Sequence, residues 1–367
     1  MTSSTTHPTG VSRAALAAAL TALLTTGGLS AAHAEPPVAP AGAPRVERVS
    51  VAADGTEGNG GSSHGRLSRN GAFTLFSSAA TNLTPEPTPR PPGPVHLRDN
   101  ATGEITRIRE SLQDPAVSDD GRYVTYLGWG SHTTNVKLVN LETGQTMIIR
   151  HGSSKAGSGQ AVMSADGRYI AFRQNSEHPQ DPDRVEVYDQ ETGTYEVVSD
   201  GPPVSDRDMV QPAISADGRY VAYRDSKTGD VWLTDRQSGT RTRVDDGGSS
   251  QLVQLSDDGR VIAVNAADGA YVRDVRTGET TRFPGKRAAA LSPDGRRLLY
   301  QDAGPTAYSE LRLRHLPSGK ETVVHGHARG VPGALADKGR VVFDSDAADV
   351  VPGDTNGVPD VFQWSAR

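Results

Sequence analysis

The chain has 367 residues, with 40 Gly, 24 Pro and no Cys, and a formal net charge of -6 at pH 7. Its length allows one large domain or two ordinary ones, and the lack of Cys excludes disulfides and cysteine-based zinc or redox sites. The basic residues are spread along the chain without a basic block, and this distribution argues against nucleic acid as a partner.

The N-terminus has the order of segments that is typical of a secretory signal peptide. One cation precedes an apolar run at residues 14–24, and the pattern Ala32-His33-Ala34, typical of a cleavage site, follows. The apolar run is too short to span a membrane, and no later segment is apolar enough to be a transmembrane anchor. The sequence therefore predicts a secreted or extracytoplasmic protein that is cleaved near Ala34. The predicted parts are a signal peptide over residues 1–34, a Pro-rich linker over 35–44 and one folded domain over 45–367.

A short motif recurs seven times in the predicted domain. The string Ser-Ala-Asp-Gly-Arg-Tyr, followed by apolar residues, begins at Ser164 and again at Ser215, and looser copies extend the series. Asp-Gly or Asn-Gly between two apolar runs is the strongest short-range signal for a β-hairpin, because Gly accepts a positive φ without a steric penalty. The glycines of the seven turns are Gly71, Gly121, Gly167, Gly218, Gly259, Gly295 and Gly339.

A second turn, with the sequence Thr-Gly or Ser-Gly, follows each of the first six hairpins. The runs that flank it mix β-branched and polar residues, as on half-exposed strands, so each unit supplies four strands. The seventh unit has three strands, whereas residues 45–51 resemble a fourth strand ahead of the first unit. We therefore predict an all-β, seven-bladed β-propeller whose last blade is completed by the N-terminal strand, a closure that also protects sheet edges.

These repeats resemble the TolB-like (WD-type) β-propeller repeat, whose consensus is Ser-x-Asp-Gly-Arg, an apolar strand and then a Thr-Gly hairpin. The resemblance covers residues 44–367. Members of the family include periplasmic envelope proteins, propeller domains of prolyl-oligopeptidase-like enzymes and exported actinobacterial proteins, so the resemblance implies an exported propeller of actinobacterial origin. It is specific for the fold and weak for function, because the matching residues build turns and strands.

The two faces of the predicted ring differ. Successive turns alternate between the ends of a blade, so the Asp-Gly and Thr-Gly hairpins all lie on one side, which we call the hairpin face. The opposite side, the variable face, carries loops of unequal length, and such loops on a rigid scaffold usually carry binding. The variable-face loops are residues 54–65, 77–94, 173–184, 199–211 and 344–359.

Ligand contacts are expected where the central channel opens on the variable face. The position four residues before each hairpin Ser should lie at this mouth, and it is polar in four units and apolar at Leu252, Ala288 and Pro332. The alternative is a solvated rim without a ligand. The predicted ligand-binding residues are His64, Asp114, Gln160 and Gln211, together with the adjacent Gln251 and Arg287.

Two motifs suggest other chemistry. Residues 61–65 match the Gly-x-Ser-x-Gly pattern of a nucleophile elbow. Such a turn needs a strand before the Ser and a helix after it, and neither is predicted here, so no catalytic residue is assigned. Asp354, Asn356 and Asp360 gather hard oxygen ligands around a Gly turn, the chemistry that Ca²⁺ prefers. Pro352 replaces the first ligand of a complete loop, and an Asx turn is the alternative. Calcium is the one cofactor that the sequence suggests.

The sequence favours a monomeric, non-catalytic propeller that binds a protein or peptide of the cell envelope through its variable face, as TolB-like relatives imply. Neither nucleic acid nor a transmembrane anchor is predicted. Whether the protein is an enzyme stays open. The alternative is a propeller enzyme, with His64, Asp114 and Arg287 as acid, base and charge-stabilising groups, or a calcium-dependent carbohydrate-binding module acting at the channel mouth.

Overall fold

Seven antiparallel sheets follow one another along the described chain and form the blades of an all-β propeller. The computed structural model describes residues 44–85, 94–108, 115–130, 133–152, 157–176, 183–199, 212–225, 228–248 and 250–366. The predicted signal peptide and the linker up to residue 43 lie outside these residues. In the described part, helical structure is limited to one short 3-10 turn, Asp337–Gly339, and no helix is long and apolar enough to cross a membrane.

Blades one to six each contain four strands in the order inner to outer. Blade one has β2 (Ser62–Leu67), β3 (Phe73–Ser78), β4 (Val95–Asp99) and β5 (Ile105–Ile108); blade two has β6 (Ala116–Val117), β7 (Tyr123–Trp129), β8 (Thr134–Asn140) and β9 (Thr146–Ile149); blade three has β10 (Ser158–Met163), β11 (Tyr169–Gln174), β12 (Arg184–Asp189) and β13 (Thr194–Val197). Blade four has β14 (Ala213–Ile214), β15 (Tyr220–Arg224), β16 (Val231–Asp235) and β17 (Thr240–Arg243); blade five has β18 (Gln251–Leu255), β19 (Val261–Ala266), β20 (Gly269–Asp274) and β21 (Thr280–Pro284); blade six has β22 (Lys286–Leu291), β23 (Arg297–Asp302), β24 (Ser309–His315) and β25 (Glu321–Ala328).

Blade seven closes the ring with the N-terminal strand. It contains β26 (Val341–Ser345), β27 (Asp360–Ser365) and, outermost, β1 (Arg45–Arg48), which runs antiparallel to β27. The predicted N-terminal closure is therefore confirmed. The innermost strand of this blade departs from the expected regular strand, because it pairs with β26 only through isolated bridges. Pro332 interrupts this segment, and Pro has no N–H to donate to a ladder.

The recurrent motif builds the hairpin by a side-chain relay. In blade three the Ser164 hydroxyl donates to Asp166 Oδ1 at 2.6 Å and accepts the N–H of Tyr169 at 2.9 Å. Asp166 Oδ1 also accepts the N–H of Arg168 at 3.0 Å. The seven turn glycines have φ between +67° and +79°, so each turn needs a residue that tolerates the left-handed region.

Hydrogen bonds between successive hairpins tie the blades together on the hairpin face. The N–H of Asp119 donates to the carbonyl of Ala165, that of Ala165 to Ala216 and that of Ala216 to Asp257, at 2.8 to 3.0 Å. The N–H of Asp257 continues the series to Pro293. Because Pro293 has no N–H, it cannot donate to blade seven in the same way. These backbone hydrogen bonds therefore link blades two to six at the hairpin face.

The largest apolar cluster of the described residues lies where the ring closes. Phe76 of blade one, Leu299 of blade six and Phe343 and Phe362 of blade seven are buried in it. The two phenylalanines of blade seven stack with ring centroids 5.6 Å apart. Burial of such side chains contributes roughly 2 kcal/mol each, so apolar packing reinforces the strand pairing that closes the ring.

Candidate functional site

The hairpin-face end of the central channel is blocked by a side chain. Arg69, in the first hairpin, reaches across the channel and forms an ion pair with Asp257 of blade five. Its Nη2 donates to the carbonyl oxygens of Met163 at 3.2 Å and Ile214 at 2.7 Å, in blades three and four. These contacts join four blades and leave a narrow channel cavity of about 140 Å³ above Arg69. A ligand therefore reaches the channel from the variable face.

A larger cavity opens on the variable face beside the channel. This mouth cavity has a volume of about 620 Å³ and is formed by blades four to seven. Its polar lining includes Arg224 at the end of β15, Gln251 at the start of β18 and Arg287 in β22. Its wall also has an aliphatic part, which consists of Leu252, Val253, Ala288, Ala289, Val331 and Pro332.

The mouth cavity is built from one equivalent pair of positions in consecutive blades. Gln251 is paired with Asn265 in blade five, and Arg287 is paired with Gln301 in blade six. In blade seven Arg329 lines the cavity from outside this repeat position and forms an isolated β-bridge with Asp344. Register shifts after Leu252 and Ala288 place β-bulges in the first strands of blades five and six. Bulges re-aim side chains at the end of a strand, and here they lie beside the cavity.

Only part of the predicted set comes together at this cavity. Gln251 and Arg287 line it, as do the apolar positions Leu252, Ala288 and Pro332. Gln160 lines the channel cavity instead. His64 is exposed and lines neither of these cavities; its Nδ1 contacts Ser63 Oγ at 2.9 Å and its N–H donates to Asp344. Asp114 and Gln211 lie outside the described residues.

Sequence reasoning missed Arg224, Gln301 and Arg329. All three line the mouth cavity, but the first two lie at the ends of second strands, which the predicted positions before the hairpin Ser do not include. The missed signal is that Arg224, Asn265 and Gln301 occupy the same repeat position, six residues after the turn glycine.

The charges around the mouth cavity leave an excess of positive charge. Arg329 Nε donates to Asp344 Oδ2 at 2.8 Å, and Lys286 forms an ion pair with Asp302, so both carboxylates are compensated. Burial raises the pKa of Asp344 to about 6, although Arg329 opposes the shift. Arg224 and Arg287 form no ion pair with any residue in the described part of the chain. The cavity is therefore suited to an anion.

The predicted calcium ligands lie in a different place, at the closure of the ring. Asp354 and Asp360 converge with Glu57, and one carboxylate oxygen of each lies within 4.8 Å of the others. Arg48 is inserted among them: its Nε lies 3.1 Å from Asp360 Oδ2, its Nη2 lies 3.9 Å from Asp354 Oδ2, and its Nη1 contacts Glu57. We call these four residues the clasp cluster, because Arg48 and Glu57 come from the N-terminal segment and the aspartates from blade seven.

Asn356 takes a structural place next to the clasp cluster. Its Nδ2 donates to the carbonyl of Gly58 at 2.7 Å, and its Oδ1 accepts the N–H of Val358 at 2.9 Å. This is the Asx-turn arrangement that was the alternative to calcium. Glu57 was not predicted as a ligand, because it is far from the two aspartates in the sequence although it lies next to them in the structure. Calcium binding at Asp354, Asn356 and Asp360 stays a prediction.

Comparison with known proteins gives the fold. No protein-family model matches the chain, and no curated protein matches it in sequence. An oligogalacturonate lyase in complex with manganese is similar in structure, with a TM-score of 0.60, 16% identity, and coverage of 88% of this chain and 93% of that chain. Oligogalacturonate lyase from Vibrio parahaemolyticus gives a TM-score of 0.59, 14% identity, and 87% and 93% coverage. TolB from Acinetobacter baumannii gives 0.47, 14%, and 71% and 62%.

At these identities the likeness shows the propeller fold alone. TolB-like propellers and oligogalacturonate lyases are both among the structural neighbours. The same fold hosts unrelated activities, so the function has to be argued from the site.

Proposed function

We propose that this protein is a non-catalytic, exported propeller scaffold that binds a protein or peptide partner of the cell envelope through its variable face. The observation that carries the proposal is the mouth cavity of about 620 Å³, which opens on that face while Arg69 blocks the other end of the channel. A cavity of this volume is in the range that holds small ligands or a short segment of a partner.

The groups in the cavity suit binding better than proton transfer. Its charged lining residues are Arg224, Arg287, Arg329 and Asp302. A guanidinium stays protonated under ordinary conditions, so the arginines can hold an anion but are poor general acids or bases. Asp302 is already in an ion pair with Lys286. This set can orient and retain a ligand without transforming it.

Export and the monomeric state are parts of the same proposal. Export is supported by the N-terminal sequence, which has the order of a signal peptide over residues 1–34. A ring closed by β1 needs no strand from a second molecule to complete its last blade, and this supports a monomer. Nucleic acid is an unsuitable partner for a protein with net charge -6 and no basic block.

A second candidate is an enzyme or a carbohydrate-binding module that takes an acidic saccharide at the mouth. The positive charge of the cavity favours it, since Arg224 and Arg287 would suit the carboxylates of a uronate. Two of the structures with the same fold are oligogalacturonate lyases, but at 14% and 16% identity they support the fold only.

Site-specific photocrosslinking tests the proposal. p-Benzoylphenylalanine replaces Thr306, an exposed residue of the mouth cavity, or Gln237, an exposed residue of a hairpin turn. After irradiation in the native envelope fraction, we expect discrete adducts at Thr306 that are absent at Gln237 and that excess unlabelled protein suppresses. Mass spectrometry then identifies the partner.

The same experiment can overturn the proposal. Adducts at Gln237 alone would move binding to the hairpin face. Turnover of oligogalacturonate by the purified protein, without adducts at Thr306, would favour the enzyme. Calcium-dependent retention on an acidic polysaccharide would favour the carbohydrate-binding module.

A further inference from the structure

We propose that the mouth cavity binds an acidic peptide segment, whose carboxylates are held by Arg224 and Arg287. This inference rests on the proposed function, because it names the chemistry of the segment that enters the cavity. It goes beyond that function in assigning two arginines as the determinants of specificity.

The first observation is that Arg287 has no ion-pair partner in the part of the chain that the structure describes. It is exposed in β22, its cross-strand neighbour is the neutral Gln301, and it forms no ion pair with a described residue. Its neighbour Lys286 has Asp302 as partner. Arg287 is therefore the cation of this strand that remains available to a ligand.

The second observation is the environment of Arg224. Its Nε is buried and has no hydrogen-bond partner among the described residues. Leaving a buried charged donor unpaired is costly, and an anion that accepts its N–H bonds would recover much of the cost. Arg224 comes from blade four and Arg287 from blade six, so the two cations line the same cavity from non-adjacent blades.

The third observation is that Asp302 and Asp344, two described acidic residues at and beside the cavity, are already compensated. Asp302 is paired with Lys286, and the buried Asp344 is paired with Arg329. Neither is left to neutralise Arg224 or Arg287. Charge-assisted hydrogen bonds to carboxylate are among the strongest that a protein forms, and a guanidinium can form two to one carboxylate.

The rest of the lining favours a peptide over a saccharide. Leu252, Ala288, Val331 and Pro332 give an aliphatic wall suited to small apolar side chains, and the Gln251 amide can donate to and accept from a peptide backbone. The described lining contains no aromatic ring, so a sugar would have no aromatic surface on which to stack. Carboxylates spaced by small apolar residues match both parts of the cavity.

Fluorescence polarisation tests the inference with a labelled hexapeptide, Ala-Glu-Ala-Asp-Val-Glu, and its amide counterpart, Ala-Gln-Ala-Asn-Val-Gln. We expect the acidic peptide to bind at least about tenfold more tightly than the amide peptide, since each charge-assisted hydrogen bond changes the dissociation constant by roughly a factor of ten. Arg224→Gln and Arg287→Gln should each weaken the acidic peptide about tenfold, and Arg224→Lys should keep part of the affinity.

Arg296→Gln is the matched control, because Arg296 is an exposed cation in a hairpin turn and its loss changes the net charge equally. Binding by this variant should equal that of the unaltered protein. Circular dichroism melting of every variant separates lost binding from lost folding. Galacturonate trimer serves as the saccharide arm in competition.

Equal binding of the two peptides, or unchanged binding in both arginine variants that fold, would overturn the inference. Tighter binding of galacturonate trimer than of the acidic peptide would assign the arginines to a saccharide instead. If the photocrosslinked partner is captured at Thr306 but binds equally well to Arg224→Gln and Arg287→Gln, the acidic-peptide inference fails while the scaffold proposal stands.

Discussion

The two ends of the central channel are made from the same strands, yet they differ in almost every physical respect. At the hairpin face one turn geometry is repeated, with backbone hydrogen bonds between blades and Arg69 across the opening. At the variable face the equivalent positions carry different side chains, such as Asn265 and Gln301, and two arginines lack an ion-pair partner among the described residues. The comparison separates the face on which repeated contacts join the blades from the face on which we propose recognition.

The largest loss of stability is expected at the turn glycines of the hairpin face that pack against the preceding blade. Gly218 has φ +74°, and a Cβ there would lie 2.2 Å from the ring of Tyr169 in the preceding blade. Arg168 and Arg236 lie over that ring at 4.8 and 4.6 Å, so it cannot easily move aside. We expect Gly218→Ala to lower the free energy of unfolding in urea by about 3 kcal/mol, through steric conflict in addition to backbone strain.

Gly193 provides the matched control. It has φ +70° in a Thr-Gly turn, and a Cβ there would meet no atom within 4 Å. Gly193→Ala should therefore cost only the strain of the left-handed region, about 1 kcal/mol. Equal losses in the two variants would show that inter-blade contact at the hairpins adds nothing to stability.

At the variable face, the buried carboxyl group of Asp344 should make the stability of the protein depend on pH. Burial raises the pKa of Asp344 to about 6, against the effects of Arg329 and the backbone N–H of His64, with Tyr308 also nearby. Because the folded protein holds this proton more tightly than the unfolded chain, stability from this group is greatest below the unfolded pKa of about 4 and falls as pH rises through 6. The effect is about 3 kcal/mol at most, because the pKa of Asp344 differs by about two units between the folded and the unfolded protein.

Urea unfolding between pH 4 and 7 measures this effect. We expect Asp344→Asn to be less dependent on pH in that range, since an amide does not titrate. Asp235, whose pKa Arg219 holds well below its usual range, and Asp360, whose pKa burial raises to about 6, are present in both proteins, so their contributions cancel in the comparison. A pH profile identical to that of the unaltered protein would assign the slope to other groups.

The fold was largely accessible from the sequence because the repeat carries its own turn chemistry. In blades two to six the Ser and Asp side chains of the motif bond to the turn itself, and Asn70 takes the place of Asp in blade one. Local residues therefore determine these hairpins, and the number of motifs determines the number of blades. The closing strand followed from the strand count. The irregular inner strand of blade seven did not, because it depends on Pro332 interrupting a ladder that the motif alone would continue.

The site was less accessible because its residues meet only after the ring closes. Gln251 and Arg287 were found as the neighbours of the repeat positions Leu252 and Ala288, whereas Arg224 required alignment of the second strands as well. Glu57 joins Asp354 and Asp360 from near the other end of the chain, so no spacing of nearby residues in the sequence could predict that the three meet. Arg69, which reaches across the channel, had a local signal, since Arg stands where five other motifs have Ala or Asp.

Calcium titration tests whether the closure needs a metal ion. The sequence predicts calcium at Asp354, Asn356 and Asp360, whereas Arg48 already supplies a positive charge among the carboxylates. An equal melting temperature of the unaltered protein in calcium and in chelator would favour Arg48 as the cation of this cluster. Arg48→Gln should have a lower melting temperature in chelator, and calcium should restore part of its stability. The gain in the free energy of unfolding should be about 1.4 kcal/mol when calcium is tenfold above its dissociation constant. Stabilisation of the unaltered protein by calcium would instead support a bound ion beside Arg48.

The smallest expected effect is a difference in melting temperature between two variants, each with one arginine replaced, one on each face. Arg219, on the hairpin face, donates through Nε and Nη2 to both oxygens of Asp235 at 2.8 and 2.7 Å, and it lies over the ring of Tyr220. Arg219→Gln should lower the melting temperature, because it removes a bidentate pair and a stacking contact. Arg287→Gln should leave it unchanged, since Arg287 has no described ion-pair partner to lose. A lower melting temperature in Arg287→Gln would mean that this arginine serves the fold, and the assignment of recognition to the variable face would lose one of its two cations.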